Sequence, residues 1–371
     1  MVVALFFFLA GCLTASWSSR IPEIQHKLQL DNAAFGVVLF GIPAGLTIGL
    51  LLAGRLVAHY GARSVMFIAA ITGSVVLVLT SYAVTAWQLM VALFFMGMTR
   101  TFFNLSINTG AVELQKEYTR PILSTFHGIW SMACFLAAAF GTLMIIQNVR
   151  PALHFPLVAA VVVLLACVFI GYVKKMHRTN ERRPFFVKPD RYLFYLGLIA
   201  LCAMLCEGAM FDWGVNYFEK VVKTEKRFVT AGYTSFIVAM AIGRLVGDRF
   251  IAAFGVYRML RFNAVMMASG FLLAALFPLL LPAAAGFLLI GLGDSILIPM
   301  IYILASKTSK MSSNYALQAV TLIGYGGFLI GPLFIGNVSQ HFGMAAAFFC
   351  LGAVCLVIVL LALRVKKMVI A

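Results

Sequence analysis

Ionisable side chains are scarce in the long apolar stretches of this 371-residue chain, which holds 12 acidic residues in all. The few that fall there are the residues with chemistry to offer. In one stretch Arg100, Asn104 and Asn108 stand at i, i+4 and i+8, a spacing that puts them on one helical face as a polar stripe. Asp294 lies at a similar depth in another stretch. Opposite charges at matched depths predict that Arg100 and Asp294 face each other across a cavity, where the carboxylate of a bound solute would replace Asp294. The structural alternative is a fixed ion pair, or Arg100 reaching Glu113. For Asn104 and Asn108 a structural role weighs about as much as solute binding, because amides commonly bond across helices in membranes.

Glu207 sits among Leu205, Cys206, Gly208 and Ala209. A carboxyl in such surroundings that gains and loses a proton as it opens to each side is what proton coupling needs, with a structural hydrogen bond as the alternative. Asp212 is five residues on, about 140° around a helix at 3.6 residues per turn. It therefore reads as an outer gate and not as part of Glu207's site. His127 titrates near pH 6.5 when unperturbed and could relay protons, though a hydrogen-bonded histidine at a helix contact explains it as well. Of the aromatic residues, Trp130, beside His127, is the one placed to stack on a solute ring, whereas Phe102, Phe103, Trp213, Tyr217 and Tyr325 read first as packing.

These groups must be held by membrane-spanning elements. The chain is 63% hydrophobic and 11% charged, against about 45–50% and about 25% in soluble domains. A hydrocarbon core needs about 20 apolar residues per helix, and twelve such segments are predicted, at 2–19, 33–54, 63–83, 86–111, 121–146, 152–173, 191–216, 229–247, 257–280, 283–305, 313–337 and 344–364. Lipid offers backbone groups no partners, and the segments are too long for barrel strands, so they are helices. The first has no basic region before it and reads as a span, not a cleaved leader. All seven cysteines fall inside spans without metal-type spacing.

The net charge of +16 is an orientation signal. Only Arg20, Lys27, Arg150, Lys220, Lys223, Lys226 and Arg227 fall outside the even-numbered connections and the C-terminal tail, apart from Arg100 within a span. The basic side is cytoplasmic, so both termini are expected in the cytoplasm. Nucleic acid is not an expected partner, since no basic cluster sits on a folded face.

The one long polar stretch, 174–190, is expected to be a cytoplasmic linker between an N-terminal six-helix bundle, 1–173, and a C-terminal one, 191–371. The tetrapeptide Gly54-Arg55-Leu56-Val57 recurs as Gly243-Arg244-Leu245-Val246, 189 residues later. Arg100 and Asp294, and Trp17 and Trp213, recur at similar offsets. The expected fold is all-α: twelve transmembrane helices in two pseudo-symmetric six-helix bundles, with the site between repeats. Arg55, Arg244 and Asp248, near the inner ends of their spans, are expected to gate, Asp248 by accepting bonds from a helix N-terminus or a basic residue.

Residues 54–63, GRLVAHYGAR, resemble the major facilitator signature G-x-L-x-D-R-x-G-R-R, with Ala58 in place of the acid; in the second half the acid is read as Asp248. Residues 16–22 (SWSSRIP), Asn104 with 108–113, 124–131 (STFHGIWS), 207–213 (EGAMFDW) and 324–332 (GYGGFLIGP) are similar to the YbjJ-like bacterial inner-membrane permeases, distantly related to the fucose permease. The resemblance runs through most of the chain. It implies a secondary transporter of the inner membrane and leaves the cargo open.

The expected activity is proton-coupled symport of a small polar solute, sugar-like or an organic anion, by alternating access, with the lipid bilayer as surroundings, a monomeric state and no cofactor or metal. Export of an amphipathic compound is the alternative within transport; Ala137-Ala138-Ala139, where drug antiporters carry a Gly-Pro motif, counts against it. An enzyme is not expected, as no His-Glu-x-x-His, Gly-x-Ser-x-Gly or phosphate-binding loop is present. No sizeable soluble domain supports a receptor.

Overall fold

The computed structural model describes residues 2–115, 117–118, 122–173, 189–308 and 313–370, and among them there is no β-strand. The stretch read as a linker lies outside the described residues except for 189 and 190. Contacts divide the chain into two units, one of residues 1–183 with 225–230, the other of 184–224 with 231–371.

The first unit holds α1 (Val2–Ser19), α2 (Ile21–Lys27), α3 (Asn32–Leu39), α4 (Gly41–Tyr60), α5 (Ala62–Tyr82), α6 (Ala86–Gln115), α7 (Leu123–Ile146) and α8 (Pro151–Phe169). Its main pairings set α1 on α7, α4 on α6, and α5 on both α6 and α8. A short 3-10 turn, Lys226–Phe228, packs on α7. There Lys226 Nζ donates to Asn148 Oδ1 at 2.8 Å, and the Thr142 and Thr230 hydroxyls bond each other.

The second unit holds α9 (Arg191–Tyr217), α10 (Ala231–Phe254), α11 (Val256–Leu276), α12 (Leu280–Asp294), α13 (Leu297–Ala305), α14 (Ser313–Phe342) and α15 (Met344–Ile370). It repeats the plan of the first, with α9 on α14, α10 on α12, and α11 on both α12 and α15. Among the described residues, eleven long helical stretches are apolar enough to cross a membrane, counting α3–α4 and α12–α13 as one each. The twelfth expected span, α10, has the length, with Arg244, Asp248 and Arg249 in its C-terminal half.

Local chemistry sets the ends and breaks of these helices. The Asp190 and Asp31 carboxylates accept the Leu193 and Ala34 N–H groups at 2.8 and 2.7 Å, capping α9 and α3. Pro43 and Pro299 each stand three residues past a break, at Phe40 and Ile296 respectively. Proline lacks an N–H and its ring clashes with the carbonyl four residues back, so spans 2 and 10 are each two helices where one was expected. The apolar side chains of α8, among them Leu153, Leu157, Val161 and Leu164, are more than half exposed, the outward face that lipid covers. Inside the second unit Tyr217 stacks on Phe348 with centroids 4.0 Å apart and donates its hydroxyl to the Ala274 carbonyl at 2.7 Å.

The two repeats align differently from what the shared tetrapeptide suggests. Gly61, between α4 and α5, has φ +83°, and Gly255, between α10 and α11, has φ +80°, a region that glycine alone enters without strain. They lie 194 residues apart. The α4–α6 contact gives the same offset: a Cβ at Gly49 would fall 3.0 Å from the Met98 carbonyl and against Thr101, while one at Gly243 would fall 3.4 Å from the Leu292 carbonyl and against Ser295. Gly97 abuts the Ile42 carbonyl as Gly291 abuts that of Phe236. The two copies of Gly-Arg-Leu-Val are thus out of step by five residues. Arg55 corresponds to Arg249, Arg244 to Leu50, and Ala58 to Ala252, so the second half lacks the signature acid too, and Asp248 answers to Gly54. Arg100 and Asp294 remain equivalent positions.

Candidate functional site

In the second unit three of the expected residues come together. Glu207 lies on α9 and Arg244 on α10, and Arg244 Nη2 stands 3.8 Å from Glu207 Oε1, with the side chains 32% and 19% exposed. That is an ion contact too long for a hydrogen bond. Asp294, the last residue of α12, is buried at 4% exposure and lies within electrostatic reach of both Glu207 and Arg244. An acid at a helix C-terminus opposes the helix dipole, so Arg244 is the compensating charge inside this unit. Tyr302 on α13 also feels the charge of Glu207, and its hydroxyl bonds Thr321 Oγ1 of α14 at 2.9 Å.

Six helices therefore contribute to one polar cluster, with α11 joining at the break. The break after Asp294 is part of it: Ser295 Oγ donates to the Leu292 carbonyl at 2.6 Å, and Asn263 Nδ2 of α11 donates to the Gly293 carbonyl at 2.8 Å. Those side chains satisfy backbone carbonyls that the interrupted helix leaves over. The sequence alone gives Glu207, Arg244 and Asp294 three different roles, and gives Tyr302, the counterpart of Asn108, and Thr321 none. The signal for Tyr302 was its position, eight residues after Asp294 and equivalent to Asn108.

In the first unit Arg100, Asn104 and Asn108 are all half-buried on α6, as one continuous face requires. Asn108 Nδ2 donates to the Asn104 carbonyl at 2.7 Å, so one end of that amide bonds its own helix. Trp130 is partly buried against the core formed by Phe6, Phe7 and Phe103. His127 is exposed, its ring edge-to-face with Phe7 at 5.5 Å. Arg55 and Asp248 are exposed, each in the last turns of its helix, and Asp212 is half-buried. Trp213, Tyr217 and Phe103 are core residues, at 0%, 0% and 3% exposure, which removes them from stacking on a solute. Among the described residues no group of three or more His, Cys, Asp or Glu side chains is arranged to hold a metal ion.

Two like units of apolar helices, with a few charges held within them, define a multi-pass carrier of the membrane. The sequence matches the Major Facilitator Superfamily over residues 3–326, and the chain belongs to that family of secondary transporters, which is not an enzymatic one. It is 32% identical over 368 residues to the uncharacterized transporter y4wD of Sinorhizobium fredii (strain NBRC 101917 / NGR234), covering 98% of this chain and 97% of that protein. It is also 25% identical to the membrane protein MosC of Rhizobium meliloti, over 95% and 86% of the two chains. Among solved structures, a point mutant of the nucleoside transporter NupG superimposes with a TM-score of 0.83 at 13% identity over 98% of both chains. A bacterial homolog of the lysosomal transporter Spinster, inward-facing and unoccupied, gives 0.77 at 12% identity over 99% and 96% of the chains. At such identities the likeness concerns the fold.

Proposed function

We propose that the chain carries a small polar solute, sugar-like or an organic anion, across a bacterial inner membrane by alternating access driven by protons. It does so as a monomer of the YbjJ-like branch, with both termini cytoplasmic. The observation that carries this reading is the Glu207–Arg244–Asp294 cluster. With both carboxylates ionised it holds a net charge of minus one inside the spanning helices, and a single proton brings it to neutrality. Charge inside a membrane costs at least about 2.5 kcal/mol, so loading that proton favours the state that must reorient. Arg100, Asn104, Asn108 and Trp130 in the first unit supply the cation, amides and ring that a polar solute needs, and Asp294 links cargo to coupling. His127 serves as a proton relay, with Arg55, Asp212 and Asp248 at the ends of the path.

The test uses purified protein in proteoliposomes. A thermal-shift screen of sugars, organic acids and nucleosides first supplies a cargo. Glu207→Gln is then expected to abolish accumulation along an imposed pH gradient while leaving exchange of labelled for unlabelled cargo. Accumulation at the wild-type rate would falsify the coupling role.

A further inference from the structure

Ser16-Trp17-Ser18-Ser19 end α1 and Arg20 joins it to α2, and no step of the proposed transport cycle uses them. Arg20 is fully buried, at 0% exposure. Its Nε pairs with the Glu23 carboxylate and its Nη2 donates to the Val149 carbonyl at 2.5 Å, but its Nη1 meets no protein acceptor. Burial lowers the pKa of this guanidinium from its ordinary value, against the charge of Glu23. Five residues beyond Val149, in the first turn of α8, His154 is likewise 0% exposed, lies within electrostatic reach of Arg20, and has no protein partner on either ring nitrogen. Ser16, one helical turn before Arg20, is fully buried with its hydroxyl unpartnered.

Gly141 of α7 lets that helix pack closely against this cluster. A Cβ there would collide with Ser19 and lie 3.7 Å from His154 Cε1. Nearly all buried polar groups in folded proteins find a partner, and one left over requires an explanation such as water or an ion. This inventory is rich in donors: the two N–H groups of Nη1, an imidazole N–H and a hydroxyl. It also adjoins the N-terminus of α8, where the helix dipole favours negative charge.

The geometry points to a resident anion site between α1, α7 and α8, in which Arg20 Nη1, His154 and Ser16 hold a small monovalent inorganic anion of the halide class. A buried guanidinium with one edge paired to Glu23 and the other to a halide has its hydrogen bonds satisfied. The neutral ring of His154 gives the anion its one N–H donor.

The probe is bromide on the full-length protein. Crystals grown in bromide are expected to show an anomalous peak within about 4 Å of Arg20 Nη1. Replacing chloride by gluconate is expected to lower the melting temperature of the detergent-solubilised protein by about 2 °C or more. Arg20→Gln should abolish both effects. Since loss of this buried side chain endangers folding, Glu23→Gln supplies the second arm: with the competing carboxylate removed, half-maximal stabilisation should need about tenfold less halide. Ser16→Ala should raise the requirement several-fold. A wild-type melting temperature indifferent to halide, or density at the site with no anomalous signal, which means water, overturns the proposal, as does an unchanged requirement in Glu23→Gln.

Discussion

The equivalent helices of the two units, α6 and α12–α13, hold opposite chemistry on a shared frame. In the first unit Arg100, Asn104 and Asn108 line a helix of 30 residues without a break. In the second the same positions are Asp294, Ile298 and Tyr302, and the helix stops at Asp294 to restart at Leu297. A guanidinium on a long side chain can reach polar partners from a continuous helix. A short carboxylate buried at 4% exposure needs a cation brought to it, and Arg244 of α10 is that cation, at a position where the first unit has Leu50. The repeats differ most where charge has to be managed. There the first unit presents a polar face and the second builds a charge cluster.

The strongest test of this asymmetry is Arg244→Gln. Removing the cation leaves the buried Asp294 uncompensated; with Arg244 itself partly exposed, the cost falls below the ~3–5 kcal/mol of a fully buried pair. Purified Arg244→Gln is therefore expected to melt below wild type and to show no uphill transport, while the double variant Arg244→Gln/Asp294→Asn recovers most of the melting temperature. A single variant as stable as the wild type would mean that the second unit does not depend on its cation. On the opposite frame, Arg100→Ala removes a charged hydrogen-bond donor, worth about 1.5–3 kcal/mol, so the dissociation constant of an anionic cargo is expected to rise about 10- to 100-fold by isothermal titration. Wild-type affinity would remove Arg100 from the binding face.

The repeat register offers a sharper discrimination, because the two copies of one tetrapeptide should respond in opposite ways. A Cβ on Gly54 meets nothing within 4 Å, whereas one on Gly243 presses on Ser295. Overpacking of this kind costs about 1–3 kcal/mol. Thermal melts should therefore show Gly54→Ala near wild type or above it, as alanine favours helix, and Gly243→Ala clearly lower. Equal responses would restore the 189-residue alignment.

Apolar run length revealed almost every span in the sequence, because lipid imposes length and backbone satisfaction on each helix separately. The expected first span, 2–19, is α1 to the residue. Breaks at Phe40 and Ile296 were passed over although Pro43 and Pro299 stand in the sequence, since an apolar window does not register a missing N–H. The register is not legible from the repeated tetrapeptide, because an identical tetrapeptide on a helix carries no positional constraint, while Gly61 and Gly255, which do carry one through their positive φ, have unlike neighbours. Glu207, Arg244 and Asp294 were each conspicuous as charges in apolar surroundings. Their meeting was not legible, as it follows from α9, α10 and α12 packing together, which no local pattern encodes.

The smallest expected effect falls on Asn108, and it separates the shape of the polar stripe from its chemistry. Its Nδ2 donates to the Asn104 carbonyl at 2.7 Å, one turn back on the same helix, a bond that leaves the amide oxygen as the only end wholly available to a solute. Amide hydrogen bonds between neutral groups contribute about 0.5–1.5 kcal/mol, and Asn108→Ala also swaps in the better helix former. The two terms offset one another in stability, so the melting temperature should hardly move. Cargo affinity should fall no more than about tenfold, less than for Arg100→Ala. A drop as large as that of Arg100→Ala would make the amide a principal contact, and would shift the weight of recognition in the first unit from its one charge to the neutral part of the stripe.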